Sequence, residues 1–292
     1  MTAEIVIMNK MGVAMAADSA VTVAGKKVYN SANKLFMLSK YHPVGIMVYG
    51  NAEFMGFPWE VVIKLYRDVL GRKEFESIEE HSDHFFEFLS TCDYITSKDE
   101  SSFASQMATP IYIEVVNRIR GAIGAIIQKN GEANDKDTAK VVDDEIAKIY
   151  AEIDQRDRFD GVTTQFESHL AKKYAKDFSE LVKTVFDKLP ISSAHQTKLK
   201  KVGAMAISRK VFEQESGVVL AGFGKKEIFP AMLSCEIKCR INGKLIRSKT
   251  QQASISTSVN NGNTAVIKPF AQGEMVHAFM EGIDPYLKRL EI

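Results

Sequence analysis

Cysteine is scarce: Cys92, Cys235 and Cys239 are the only three in 292 residues. At those spacings they form neither a disulfide framework nor a metal-ligand cluster, which points to a reduced, cytoplasmic compartment. An excess of one charge is also missing. Lys plus Arg total 38 and Asp plus Glu 37, a net of +1, so the basic domain or stripe of a nucleic-acid binder is absent. No run approaches the roughly 20 apolar residues of a membrane span. The N-terminus lacks a basic region followed by an apolar core and a small-residue cleavage site. Neither nucleic acid nor membrane is therefore an expected partner. The remainder is ordinary globular composition, 45% hydrophobic and 26% charged, enough for one large domain or two smaller ones.

The first fifty residues read as β structure. Ile5-Val6-Ile7-Met8, Val13-Ala14-Met15-Ala16-Ala17, Leu35-Phe36-Met37-Leu38 and Val44-Gly45-Ile46-Met47-Val48-Tyr49 are short apolar runs. They are separated by turn signals at Asn9-Lys10-Met11-Gly12 and Ala24-Gly25-Lys26-Lys27. Runs of that length with β-branched content favour strands. From about 55 to 215 the period becomes helical. Pro58 suits a first turn ahead of Val61, Val62, Leu65, Val69 and Leu70. Ser77-Ile78-Glu79-Glu80 has the form of a capping box ahead of Phe85, Phe88 and Leu89. Further stripes run from Val115 to Ile127, stopping at Asn130-Gly131, from Val142 to Ile153, and from Leu170 to Phe186. Strand character returns at Gly217–Gly224 and at Cys235–Ile241, where Asn242-Gly243 marks a two-residue hairpin. Glu274 to Ile292 reads as a helix broken near Asp284-Pro285. The expectation is a single α+β domain over 1–292 with a mainly helical region at about 55–215.

Chemistry concentrates at the start of the chain. Once Met1 is removed, Thr2 carries a hydroxyl and a free α-amine on one residue. A threonine hydroxyl needs a base to become a useful nucleophile, and its own amine can serve. An unperturbed α-amine titrates near pH ~7.7–8.0, so part of it is neutral at physiological pH. The segment Gly12-Val13-Ala14-Met15-Ala16-Ala17-Asp18-Ser19, the run Lys34-Leu35-Phe36 and the strand end Tyr49-Gly50 follow at fixed separations. On these residues the first fifth of the chain resembles proteasome β subunits and bacterial proteasome-like peptidases. Gly217–Gly243 is similar to that family's later Leu-Ala-Gly strand and hairpin.

The resemblance implies an N-terminal-nucleophile (Ntn) hydrolase, an αββα sandwich with an enlarged helical insert and an incomplete C-terminal part. It implies cleavage of peptide amide bonds through an acyl-enzyme on Thr2, with no metal or organic cofactor. Lys34 would sit beside Thr2 and disfavour the protonated amine. Asp18 would hold Lys34 by a charge-assisted hydrogen bond, and the Gly50 N–H would stabilise the oxyanion. Thr22 matches the position whose main chain pairs with extended substrate. Peptide or unfolded protein is the implied substrate, a homo-oligomeric ring the implied assembly, and an ATPase a possible feeder.

The chain also departs from that pattern. Tyr49 replaces the usual alanine, and Gly50 needs a two-residue insertion. The family's Gly-Ser-Gly turn is replaced by Ala271-Gln272-Gly273-Glu274, and no match is found for its later supporting Asp and Ser. The chain would then continue beyond Ile292, or another element would replace that layer. Two alternatives follow: a catalytically inactive scaffold subunit of the same fold, or a small-molecule amidohydrolase. Elsewhere, His81-Ser82-Asp83-His84 reads as an exposed polar face with a weak metal option. Cys235 and Cys239 read as small hydrophobes in a strand, and Gly222-Phe223-Gly224 reads as a tight turn.

Overall fold

A computed structural model describes residues 3–19, 21–23, 27–29, 33–212, 215–257, 262–271 and 273–283. The molecule is a mixed α+β protein whose chain divides into two units. The first comprises Met1–Cys92, Gln214–Lys238 and Arg247–Ile292; the second comprises Asp93–Glu213 and Cys239–Ile246.

The first unit is built on strands, most of them where the apolar runs indicated. β1 (Ala3–Asn9) lies between β2 (Gly12–Ala17) and β12 (Ala265–Ala271), antiparallel to both. A second sheet has the order β11-β10-β9-β6-β5, formed by β11 (Lys244–Ser254), β10 (Ala231–Ile241), β9 (Ser216–Gly222), β6 (Val44–Gly50) and β5 (Leu35–Met37). Two small pairs complete the β structure: β3 (Val21–Val23) with β4 (Lys27–Tyr29), and β7 (Glu53–Phe54) with β8 (Phe57–Pro58). The expected turn at Ala24-Gly25-Lys26 lies outside the described residues.

Alternation along β1 explains the core. Glu4, Val6 and Met8 are buried, whereas Ile5 and Ile7 are more exposed. Val6 and Met8 join Met47 of β6, Val219 and Ala221 of β9, Met232 of β10 and Phe270 of β12 in one apolar cluster. That shared interior means the two sheets face each other, each hiding one side of its pleat. On the outside, α8 (Gly273–Glu281) packs against β1 and β12, and α2 (Ile78–Thr91) against β9. Ala271, which opens the Ala271-Gln272-Gly273-Glu274 stretch, ends β12 in a left-handed conformation with φ 56°, and α8 begins at Gly273. Asp284 and Pro285, where a break was expected, lie outside the described residues.

α1 (Trp59–Leu70) follows Pro58, and of the expected positions Val62 and Leu70 face inward while Val61, Leu65 and Val69 do not. Trp59, Val62, Ile63, Tyr66 and Leu70 are buried, while Val61, Leu65 and Val69 are 41–51% exposed. Two apolar stripes run side by side on this helix, and the one carrying the aromatics hides more area. At α2 the cap is half of a capping box. Ser77 accepts from the Glu80 N–H at 3.2 Å, but the Glu80 carboxylate accepts from Glu76 N–H, not Ser77 N–H.

The second unit is a helical bundle with a hairpin tip. It contains α3 (Ser97–Asn130), α4 (Asp135–Asp154), α5 (Thr164–Lys173), α6 (Ala175–Val185) and α7 (Ser193–Ser208). α7 packs against each of the other four and is buried from Val202 to Ser208. The Leu170–Phe186 stripe is two helices, parted at Tyr174, whose hydroxyl donates to buried Glu100 at 2.9 Å. Asn242 and Gly243 have φ 52° and 69°, the two left-handed residues of the expected hairpin turn. Glu100 also accepts from the Asn242 N–H at 3.1 Å, fixing that turn to the bundle.

Candidate active site

Lys34 precedes β5, and its carbonyl accepts from Val48 N–H of β6 at 2.8 Å. That bond fixes the backbone and sends the side chain inward, where Lys34 is 8% exposed. Its ammonium donates to Asp18 Oδ1 at 2.6 Å, the short, charge-assisted bond expected from the sequence. Asp18 follows β2, and its N–H donates to the Ala3 carbonyl at 3.1 Å. The pair therefore stands beside the residue that follows Thr2. Thr2 itself, with Met1, lies outside the described residues.

A second carboxylate was not anticipated. Glu4 is fully buried, and its Oε1 lies 3.6 Å from Lys34 Nζ, within ion-pair range but too long for a hydrogen bond. Among the described residues neither Glu4 oxygen has a hydrogen-bond partner. Burial pushes the Glu4 carboxyl up from 4.5 to about 7, with the Lys34 charge opposing and the Asp18 charge adding to the rise. Lys34 thus joins a hidden acid to an acid whose side chain is 34% exposed. Period-two alternation in β1 places Glu4 with Val6 and Met8, so the signal was present in the sequence as a charge on an apolar face.

Gly50 ends β6 with φ 78°, opposite Ser216 of β9. Here glycine is required twice over. The backbone is left-handed, and a Cβ would stand 2.1 Å from the Glu215 carbonyl oxygen. The neighbouring chain is tied down by Trp59, whose indole N–H donates to Ser216 Oγ at 3.0 Å, and by Ser216 Oγ donating to Asn51 O at 3.2 Å. Lys238 of β10 pairs with Glu215 at 2.9 Å. The alternation expected in Cys235–Ile241 is thereby overridden: Lys238 is 6% exposed because it has a half-buried carboxylate partner.

Tyr49, noted only as a departure, fills the space under this strand end. Its ring lies 5.6 Å from that of Phe270 and covers Gly217, where a Cβ would meet the ring at 1.9 Å. Burial pushes its hydroxyl up to about 12, with Glu236 and Glu4 adding to the rise. Thr22 sits in β3 opposite Val28 of β4. Among the described residues β3 has no second neighbour, so one edge of its backbone is open.

The structure thus brings Asp18, Lys34 and the start of β1 together, and it carries Gly50 on the strand that Lys34 bonds. Against family models, curated proteins and solved structures, the chain matches none.

The histidine pair differs from its expected exposed polar face. His81 is fully buried, and its pKa falls to about 4 because of burial, with His42 and His84 adding. His84 Nδ1 lies 3.0 Å from the Tyr66 hydroxyl. Among the described residues no group of three His, Cys, Asp or Glu side chains is placed to hold a metal. Cys235 and Cys239 are buried and form no disulfide among the described residues. No helix among the described residues is long and apolar enough to cross a membrane.

Proposed function

We propose that this protein is a threonine-type N-terminal-nucleophile hydrolase that cleaves peptide amide bonds through an acyl-enzyme on Thr2. The observation that carries the reading is the buried Lys34, held at 2.6 Å by Asp18, whose own N–H binds the Ala3 carbonyl. A buried lysine costs solvation, and in this reading its charge disfavours the protonated form of the Thr2 amine. The contacts support the same reading: α8 packs on β1 and β12, their sheet shares an apolar cluster with the five-stranded sheet, and α2 contacts β9 of the latter.

In the proposed reaction the neutral α-amine takes the proton from the Thr2 hydroxyl as its oxygen attacks the substrate carbonyl. The Gly50 N–H donates to the oxyanion, an interaction worth roughly 10²–10³ in rate. The protonated amine then gives its proton to the leaving nitrogen, and the C–N bond breaks to leave an ester on Thr2. Water, deprotonated by the same amine, hydrolyses that ester. The open edge of β3 at Thr22 suits an extended peptide. A cytoplasmic homo-oligomeric ring, fed with unfolded chains by an ATPase, belongs to the same proposal.

One experiment tests the chemistry. Protein starting at Thr2, verified by intact mass, is assayed on fluorogenic peptides and on small acyl-amides beside Thr2→Ala. Peptide turnover that vanishes in Thr2→Ala is expected. Undiminished hydrolysis in the variant removes the mechanism, and preference for acyl-amides redirects the substrate class. A second reading, an inactive scaffold of the same fold, is favoured by Ala271-Gln272-Gly273 standing where the family has Gly-Ser-Gly. Failure of an electrophilic threonine-directed inhibitor to add to Thr2 would favour it.

A further inference from the structure

The family pattern supports its threonine with a later Asp and Ser that this chain does not match. The structure instead offers a group at the other end of the sequence. Glu4, two residues after Thr2 in the sequence, lies on β1 with its side chain buried. Its two oxygens have no hydrogen-bond partner among the described residues, and the cation within reach is Lys34 Nζ at 3.6 Å. An apolar side chain would fill that place at less cost, because a buried carboxyl without hydrogen bonds is expensive.

We propose that Glu4 is a positioning residue, a second counter-charge to Lys34 that sets how strongly the lysine acts on the Thr2 amine. The proposal rests on the threonine-hydrolase reading above. Asp18 fixes where the ammonium sits, by a short hydrogen bond. Glu4 fixes how much of its charge the site feels. With Glu4 neutral, Lys34 stands against Asp18 alone and its field favours a neutral amine. With Glu4 ionised, the three groups carry one net negative charge, and a proton is retained more readily on the amine. Because burial brings Glu4 to about 7, this change falls inside the range where an α-amine titrates.

The surrounding charges are few. Lys34 and Asp18 act on Glu4 directly, and Glu4 together with Glu236 of β10 acts on Tyr49 of β6. On β12 the residue opposite Glu4 is Phe270, with Lys268 opposite Val6 on the same face. On β2 the opposite residue is Ala17. α8, packed on the same sheet, carries Glu274, His277 and Glu281. Glu4 is the buried acid among these with a titration displaced into the working range.

The test compares protein starting at Thr2 with its Glu4→Gln variant, which keeps the shape and removes the charge. Two quantities are read against pH: kcat/KM on the best fluorogenic peptide, and the rate of acetylation of the Thr2 amine, followed by mass spectrometry. In Glu4→Gln the acid limb of kcat/KM should move to lower pH by about half to one unit, and the amine should become reactive at correspondingly lower pH. A variant that changes only the height of the profile, with limb and amine titration unmoved, reduces Glu4 to packing and overturns the proposal. Thr2→Ala keeps the two ideas apart. If it still hydrolyses peptide, the threonine mechanism falls, and with it the claim that Glu4 serves that reaction. If no protein turns over, the amine titration alone decides whether Glu4 governs it.

Discussion

A buried carboxyl, even with a cation 3.6 Å away, keeps its proton to higher pH here than it does in an unfolded chain. At Glu4 the folded value is about 7 against 4.5. The folded state therefore binds this proton more tightly. The stability it contributes is complete below about pH 4.5 and is lost as pH rises through 7. At ~1.36 kcal/mol per pH unit, that interval is worth on the order of 3 kcal/mol. Glu4→Gln should abolish this slope. Urea unfolding at pH 5 and pH 8 should show the variant gaining roughly that amount on the native protein between the two conditions. A difference independent of pH would mean that Glu4 is not displaced. The same residue shows where the sequence could be read and where it could not. Asp18 and Lys34 were legible because the resemblance to proteasome-like peptidases singles out both. Glu4 escaped because no motif names it, although its place between Ala3 and Ile5 on an alternating strand already put it inside.

Strands and helices take their final form from what lies across from them. In β9 the residue Gly217 is needed less for its backbone than for the Tyr49 ring, which would touch a Cβ at 1.9 Å. Gly217→Ala should therefore force the ring aside and cost about 1–3 kcal/mol. Tyr49→Ala alone should cost about 3–5 kcal/mol through the cavity it leaves. The double variant should be more stable than the sum of the two, since the methyl then enters vacated space. Strict additivity in urea midpoints at constant m-value would show that the contact carries no strain. Legibility at this scale follows the range of the interactions. The Asn242-Gly243 turn, the Ser77 cap and the end of α3 at Gly131 depend on a few adjacent residues and were readable. The inward face of α1 was not, because Val61-Leu65-Val69 and Val62-Tyr66-Leu70 both have helical spacing. Only the partners of Trp59 and Tyr66 choose between them. Likewise, the burial of Lys238 depends on Glu215, which precedes β9 and lies far from Lys238 in the sequence.

The chain as a whole was expected to carry a mainly helical region at about 55–215, and its helices are shared between two compact units. α1 and α2 fall in the first unit with the strands, while α3 to α7 form the second with the Asn242-Gly243 hairpin. Helical periodicity marks all seven alike, and long-range packing, which periodicity does not encode, sorts them. Each unit has its own interior, so each should have its own stability. The second offers a sharp handle in Glu167, which is 7% exposed. Its carboxylate accepts from Arg209 Nε at 2.8 Å, from both arms of the Arg158 fork at 3.0 Å and from Ser208 Oγ at 3.1 Å. Arg209, itself 2% exposed, reaches on to Asp154 at the end of α4. Removing one charge from a buried network strands the others, at a cost of about 3–5 kcal/mol. Glu167→Gln should therefore speed hydrogen exchange in α4, α5 and α7 while the amides of β1, β6 and β9 keep their protection. Such a split would make the bundle a separate cooperative unit beside the strands that carry Lys34 and Gly50. Equal loss of protection in helices and strands would show that the whole chain unfolds as one body, and that the charge network in the bundle stabilises the candidate site as well.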